Sequence, residues 1–207
     1  FWSENHLFMT LGSCYLFRQY QQNTKPHAAD ADTKREILES LNSKLETKLL
    51  KIYLRAHCHE AFNGVYEVNS TVYLPYTLSG LLNLYDFAID EEVKRLAKQI
   101  IDRVVQHVLL CTTGNGVSNL CAGGRTFART RLRTHGHNMN QLMNVILGKS
   151  PDGRVPSAIT DFILTTTWRP NFDELRQALE FCGTHPAVCL SHPTSVTRDI
   201  YTQLAEE

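Results

Sequence analysis

Side chains able to do acid–base chemistry or to hold a sugar fall into four groups in this chain. Glu4, Asn5 and His6 stand together between aromatic residues, and His57, Cys58, His59 and Glu60 form the second group. Tyr66 and Glu67, with Tyr73 and Tyr76, form the third; Gly123-Gly124-Arg125 with Arg129, Arg131, His135 and His137 form the fourth. Two carboxylates facing one cleft would suit glycoside hydrolysis, one as general acid and the other as base or nucleophile. Glu4, Glu60 and Glu67 are available for those roles, and only their separation in space decides between them. Asparagine and histidine can instead bind a uronate carboxylate while a tyrosine takes the C5 proton and returns it to the leaving oxygen, with an arginine neutralising the developing charge. That chemistry is β-elimination, and it uses the residue types clustered here.

Each group also has a plainer reading. Ser3 can cap a helix whose first turn carries Glu4 and Asn5, where negative charge is favoured. On a helix Glu4, Asn5 and His6 point about 100° apart, so they cannot all be core residues and at least one faces a cleft or solvent. The other groups read equally as solvated polar loops. Aromatic residues that can stack on sugar rings, Trp2, Tyr66 and Tyr76 among them, weigh against that reading when they accompany the polar groups. The motif HxH occurs at His57/His59 and at His135/His137, and such a pair can chelate one ion from an extended segment. On a continuous helix the two rings would diverge by about 200°. No HExxH or spaced carboxylate trio completes a site, so the expectation is no metal ion and no other cofactor.

The 207 residues are 43% hydrophobic and 20% charged, which is enough chain for one substantial core. The formal net charge is zero, giving no general electrostatic reason to expect nucleic acid or an anionic membrane as partner. No run of 18 apolar residues predicts a membrane span, and no basic-then-apolar leader is visible. Phe1 is an unusual first residue and leads to the expectation of a processed or partial chain. None of the six cysteines forms a CxxC pair. Cys111 with Cys121, and Cys182 with Cys189, would close short disulfide loops in an oxidising compartment; six reduced thiols are the equal alternative. With the sequon Asn69-Ser70-Thr71, the compartment leans slightly to secreted or extracellular. Oligomeric state is not readable.

The elements that must position these groups read as helices. Leu7, Phe8, Leu11, Tyr15 and Leu16 recur at helical spacing over 4–22. After a loop containing Pro26, Asp32 or Thr33 caps a long helix to about residue 57, with Ile37, Leu38, Leu41, Leu45, Leu49 and Leu50 as its apolar stripe. Residues 57–76 are irregular, with a turn at Asn63-Gly64 and an extended leaning. A helix over 76–87 is followed by one that opens on Asp90-Glu91-Glu92 and runs to about Leu110. Its inward face is Val93, Leu96, Ala97, Ile100, Ile101, Val104 and Val108. A glycine-rich loop, 113–125, leads into the arginine strip, and shorter helices are expected over 136–147, 156–166 and 171–182. The fold class is all-α, helical hairpins with short extended segments. It reads as a single domain over 1–207, with 150–207 a looser subregion.

SENH at 3–6, the run from Glu67 to Val105 (EVNSTVYLPYTLSGLLNLYDFAIDEEVKRLAKQIIDRVV) and GGRTFARTR at 123–131 together resemble the α/α-toroid proteins of carbohydrate-active type. That group includes polysaccharide lyases and glycoside hydrolases. The resemblance spans residues 2–131, and its long central run is the most specific part. It implies a partial or complete toroid of helical hairpins and a polysaccharide or glycan as partner. By position, Glu4, Asn5 and His6 would line the toroid's cleft, Glu67 and Tyr73 would belong to the turn entering a helix, and Arg125 to the glycine loop. Phe127 stands where an aromatic with a hydroxyl would serve catalysis better. Seven or eight helices are few for a closed ring, so either the ring is incomplete or segments of the natural chain are missing. The expected function is β-elimination of a uronate-containing glycan, with Tyr73 as base and acid, Asn5 and His6 orienting the carboxylate, and Arg125 neutralising charge. Trp2, His59, Glu60, Tyr66, Tyr76 and Arg129 are the expected substrate contacts. The alternatives are hydrolysis by Glu4 with Glu60 or Glu67, and a non-catalytic glycan-binding or structural role.

Overall fold

The computed structural model describes residues 3–23, 31–60, 64–65, 73–110, 112–113, 119–120 and 165–184. Among them the fold is helical: α1 (Glu4–Asn23), α2 (Ala31–Asn42), α3 (Leu45–Cys58), α4 (Leu74–Phe87), α5 (Glu91–Leu110) and α6 (Phe172–Thr184). The extended pieces are β1 (Thr112–Thr113) and β2 (Asn119–Leu120), an antiparallel pair across the start of the glycine-rich loop. No described helix is long and apolar enough to cross a membrane. The helices expected over 136–147 and most of 156–166 lie outside the described residues, as do Cys111, Cys121, Cys189 and the sequon. Cys14 and Cys58 are free thiols.

The helix expected from residue 33 to 57 is two helices, α2 and α3, broken at Ser43-Lys44. Asn42 and Ser43 carry short polar side chains that compete for backbone groups, and Ser43 Oγ donates to the Ser40 carbonyl at 2.7 Å. Lys44 then turns extended, with ψ 138°, before α3 begins. The break rotates the apolar stripe. Ile37 and Leu41 are buried from α2, and Leu50, Tyr53 and Leu54 from α3. Leu45 and Leu49, inward on an unbroken helix, are 67% and 45% exposed.

α1, α3, α4 and α5 make up most of the core, joined by Ile37 and Leu41 of α2 and Leu175 of α6, and contacts between those four fix their directions. Gly12 lies against Leu84 and Gly80 against the Phe8 backbone, so α1 and α4 run the same way. Lys51 pairs with Asp90, Arg55 with Glu92, and Cys58 Sγ reaches the Leu96 carbonyl, so α3 and α5 also run together. Glu4 meets His57 while Arg18 meets Glu46, so α1 and α3 are antiparallel. The result is two antiparallel hairpins side by side, α1 with α3 and α4 with α5, like-directed helices adjacent. α2 packs on α1 and α3, and α6 on α5.

The glycines set the spacing. A Cβ on Gly80 would lie 3.1 Å from the Phe8 carbonyl carbon and oxygen, closer than a side chain tolerates without backbone movement. The α4–α5 corner is held by polar contacts: Gln19 Nε2 donates to the Phe87 carbonyl at 2.7 Å, and its Oε1 accepts from the Ile89 amide at 2.8 Å. Asp90 caps α5 through Oδ1, which accepts from the Glu92 amide at 2.9 Å. The expected inward face of α5 is buried throughout, from Val93 to Val108.

Candidate functional site

The helix directions bring α1 and α4 to begin, and α3 and α5 to end, at one end of the four-helix array. Described residues from three of the four sequence groups therefore lie at that end. Glu4, Asn5 and His6 open α1; His57, His59 and Glu60 close α3; Tyr73 and Tyr76 stand at the start of α4. His107, near the end of α5, joins them. Gly64, with φ +116°, brings the chain back over this end, its amide donating to the His57 carbonyl at 3.2 Å. A Cβ on Gly64 would sit 3.3 Å from the His107 ring.

Glu4 and His57 form the centre of this end. Both are buried, at 5% and 0% exposure, and Glu4 Oε1 lies 2.9 Å from His57 Nε2. The other ring nitrogen, Nδ1, is 2.8 Å from the Tyr53 carbonyl. A carbonyl only accepts, so Nδ1 carries a proton and donates it. Nε2 and the carboxyl therefore share the second proton: imidazolium with carboxylate, or neutral imidazole accepting from a carboxylic acid. Phe8 and Tyr53 wall the imidazole in, with ring centroids 4.9 and 4.2 Å away in edge contacts. Water is kept from the pair, which strengthens its electrostatics and makes either partner costly to strand.

Around that pair the remaining residues divide by exposure. Asn5 is 3% exposed, and its Oδ1 accepts from the Ser3 hydroxyl. The same hydroxyl lies 2.6 Å from His6 Nδ1, and having spent its single proton on Asn5 it accepts there from the imidazole. Ser3 occupies the N-cap position, its carbonyl accepting from the Leu7 amide at 3.0 Å. Its side chain orders Asn5 and His6 instead of capping the helix. His6 and Tyr76 are exposed, Tyr73 is half-buried, and His59 and Glu60 are exposed just beyond α3. His57 and His59 thus differ in burial, His57 enclosed against Glu4 and His59 exposed. Trp2, Tyr66, Glu67, Arg125, Arg129, His135 and His137 lie outside the described residues.

Cys58 follows His57 in sequence, and its thiol turns to the Leu96 carbonyl of α5 at 3.5 Å. Burial pushes the thiol up to about 11, against the opposing pull of the Arg103 and Arg95 guanidinium groups. At neutral pH it is a protonated, weakly nucleophilic thiol.

Sequence reasoning singled out His57 for its HxH spacing and missed its partnership with Glu4. The available signal was local: a histidine four residues after Tyr53 on an apolar helix face can donate back to that carbonyl. The Glu4 contact crosses 53 residues of chain and needed the helix register.

No family model matches this chain, and no curated protein or solved structure matches it.

Proposed function

We propose that this end of the helical array is the sugar-binding end of a toroid-like, carbohydrate-active protein that cleaves a uronate-containing glycan by β-elimination. The observation that carries the reading is that Asn5 and His6, at the start of α1, and Tyr73, at the start of the like-directed α4, stand at the end of the array that holds the walled-in Glu4–His57 pair. The arrangement of hairpins supports the architecture. Two antiparallel hairpins laid side by side with like-directed helices adjacent is the step by which stacked helical pairs extend into larger curved arrays.

In this reading Tyr73 takes the C5 proton of the uronate and returns it to the leaving oxygen. His6 holds the substrate carboxylate, buried Asn5 orients His6 through the Ser3 hydroxyl they share, and Arg125 offsets the charge that develops on the carboxylate. Glu4 and His57 are positioning residues. Their contact fixes the first turn of α1 against the last turn of α3, and so sets where Asn5 and His6 stand. Tyr76 and His59, both exposed, supply a stacking face and a polar contact for the sugar. Hydrolysis by Glu4 with Glu60 or Glu67 is the weaker alternative, because Glu4 is buried and already engaged by His57.

The test is a screen of polygalacturonate, alginate and hyaluronan for ultraviolet-absorbing unsaturated products, which hydrolysis does not make. Tyr73→Phe should lower product formation by about 10²–10⁴-fold, the usual contribution of a positioned acid–base group, with helicity unchanged by circular dichroism. New reducing ends without ultraviolet absorbance would move the assignment to a hydrolase. Binding without cleavage would move it to a glycan-binding role.

A further inference from the structure

A groove of about 570 Å³ runs along α5 and is closed on one side by Glu174 of α6. Its floor is a single helical face: Arg95, Gln99, Arg103 and Gln106, with Lys98 and Asp102 beside them. From Arg95 to Gln106 this face extends about 16 Å at 1.5 Å per residue. The lining is polar, a poor match for an apolar ligand.

The charges in the groove are not equivalent. Asp102 is used twice, with Lys98 Nζ 2.5 Å from Oδ2 and the Trp168 indole N–H donating to Oδ1 at 2.9 Å. Its negative charge is therefore matched within the groove wall. Glu174 Oε1 accepts from the Asn171 amide at 2.8 Å, at the exposed start of α6. Arg95 is exposed and makes no ion pair among the described residues. Arg103 approaches Gly64, its Cβ 3.9 Å from where a Gly64 Cβ would lie, so the Arg103–Gln106 end of the groove reaches the end of the array that holds His57 and His107.

We infer that this groove is a distal subsite for an acidic polysaccharide, holding carboxylates of sugars flanking the one that reacts. The assignment rests on the glycan reading above for its ligand class. Its own basis is the exposed guanidinium group of Arg95 and the amides of Gln99 and Gln106, presented along one face that runs past Arg103 toward Gly64. Arginine binds carboxylate through two parallel N–H donors, and side-chain amides add hydrogen bonds to hydroxyls. A chain lying there would gain affinity from groups remote from the reacting bond, the part of binding that longer substrates exploit.

The test uses the whole chain and hexasaccharides of galacturonate, mannuronate and hyaluronan, with a neutral maltohexaose as control, titrated by calorimetry at low and moderate salt. Wild type should bind at least one acidic hexasaccharide, more weakly as salt rises, and not the neutral one. Arg95→Glu and Gln99→Glu, both on the helix surface, should each weaken that binding by about tenfold, the scale of one charge-assisted contact. Lys34→Glu, on the exposed face of α2, makes the same charge change as Arg95→Glu away from the groove and should leave binding within twofold. Equal weakening by Arg95→Glu and Lys34→Glu, equal binding of the neutral sugar, or no acidic hexasaccharide bound would each overturn the inference. Groove-dependent binding without unsaturated product would keep the subsite and refute β-elimination, so the two readings fail separately.

Discussion

Replacing Glu4 separates a buried positioning pair from a solvated helix start. In Glu4→Ala the His57 ring keeps its Nδ1–Tyr53 contact, but Nε2 loses the carboxyl 2.9 Å away inside a pocket walled by Phe8 and Tyr53. His57 is 0% exposed, so water cannot simply take the vacant place. If the pair is ionic, breaking it costs about 3–5 kcal/mol. If it is a neutral hydrogen bond, the cost is about 1–3 kcal/mol. Glu4→Gln distinguishes hydrogen bonding from charge, because an amide can accept from an imidazolium or donate to a neutral Nε2. It should cost about 1 kcal/mol or less for a neutral pair, and clearly more for an ionic one. Urea unfolding followed by circular dichroism reads the differences. In a chain of this size each kcal/mol moves the melting temperature by about 2–4 °C, so Glu4→Ala should melt about 6–20 °C below wild type if the pair is ionic and about 2–12 °C below if it is neutral. Both variants within about 0.5 kcal/mol of wild type would place Glu4 in solvent and refute the positioning role, since surface changes stay in that range.

Other outcomes follow from packing and burial. Gly80→Ala forces a Cβ to 3.1 Å from the Phe8 backbone, while a Cβ on Gly12 meets only the Leu84 side chain at 3.4–3.6 Å. The first should lose about 1–2 kcal/mol after the helix-propensity gain and the second should gain up to about 1 kcal/mol, measured by thermal melts. Leu50→Ala should cost about 2–5 kcal/mol, whereas Leu45→Ser should cost under about 0.5 kcal/mol because Leu45 is 67% exposed; equal losses would mean α2 and α3 form one helix. Iodoacetamide at pH 8 should label exposed Cys14 well before Cys58, as mass spectrometry of the peptides would show. Cys58 rises from 9.0 to about 11 on folding, so the folded state holds this proton more tightly. Its stabilising contribution is intact below pH 9 and is lost as pH climbs from 9 towards 11. Tyr15 is raised as well, by burial first and then by the Asp90 charge, and adds loss in the same direction above pH 10. Denaturant midpoints should therefore fall over that alkaline range.

Local pattern settled much of this protein from sequence alone. The 3.6-residue recurrence of Phe8 and Tyr15, and of Val93 through Val108, specifies α1 and α5 and their buried faces, because each helix hides one stripe from water. Asp90 reads as a helix start since a carboxylate can take a free amide there, and it does. The same pattern failed at Ser43, where leucines on both sides continued a helical period across a break that backbone competition imposes. Tertiary structure decided what the polar groups do. Glu4, Asn5 and His6 are neighbours in sequence, yet two are buried and one is exposed, and that division depends on which helix packs over each. Glu4 meets His57, and Tyr73 stands at the same end, because α1 and α4 run together and α3 runs against α1. Those directions come from close approaches such as Gly80 on Phe8, and single-helix periodicity carries no information about a neighbour's direction or register.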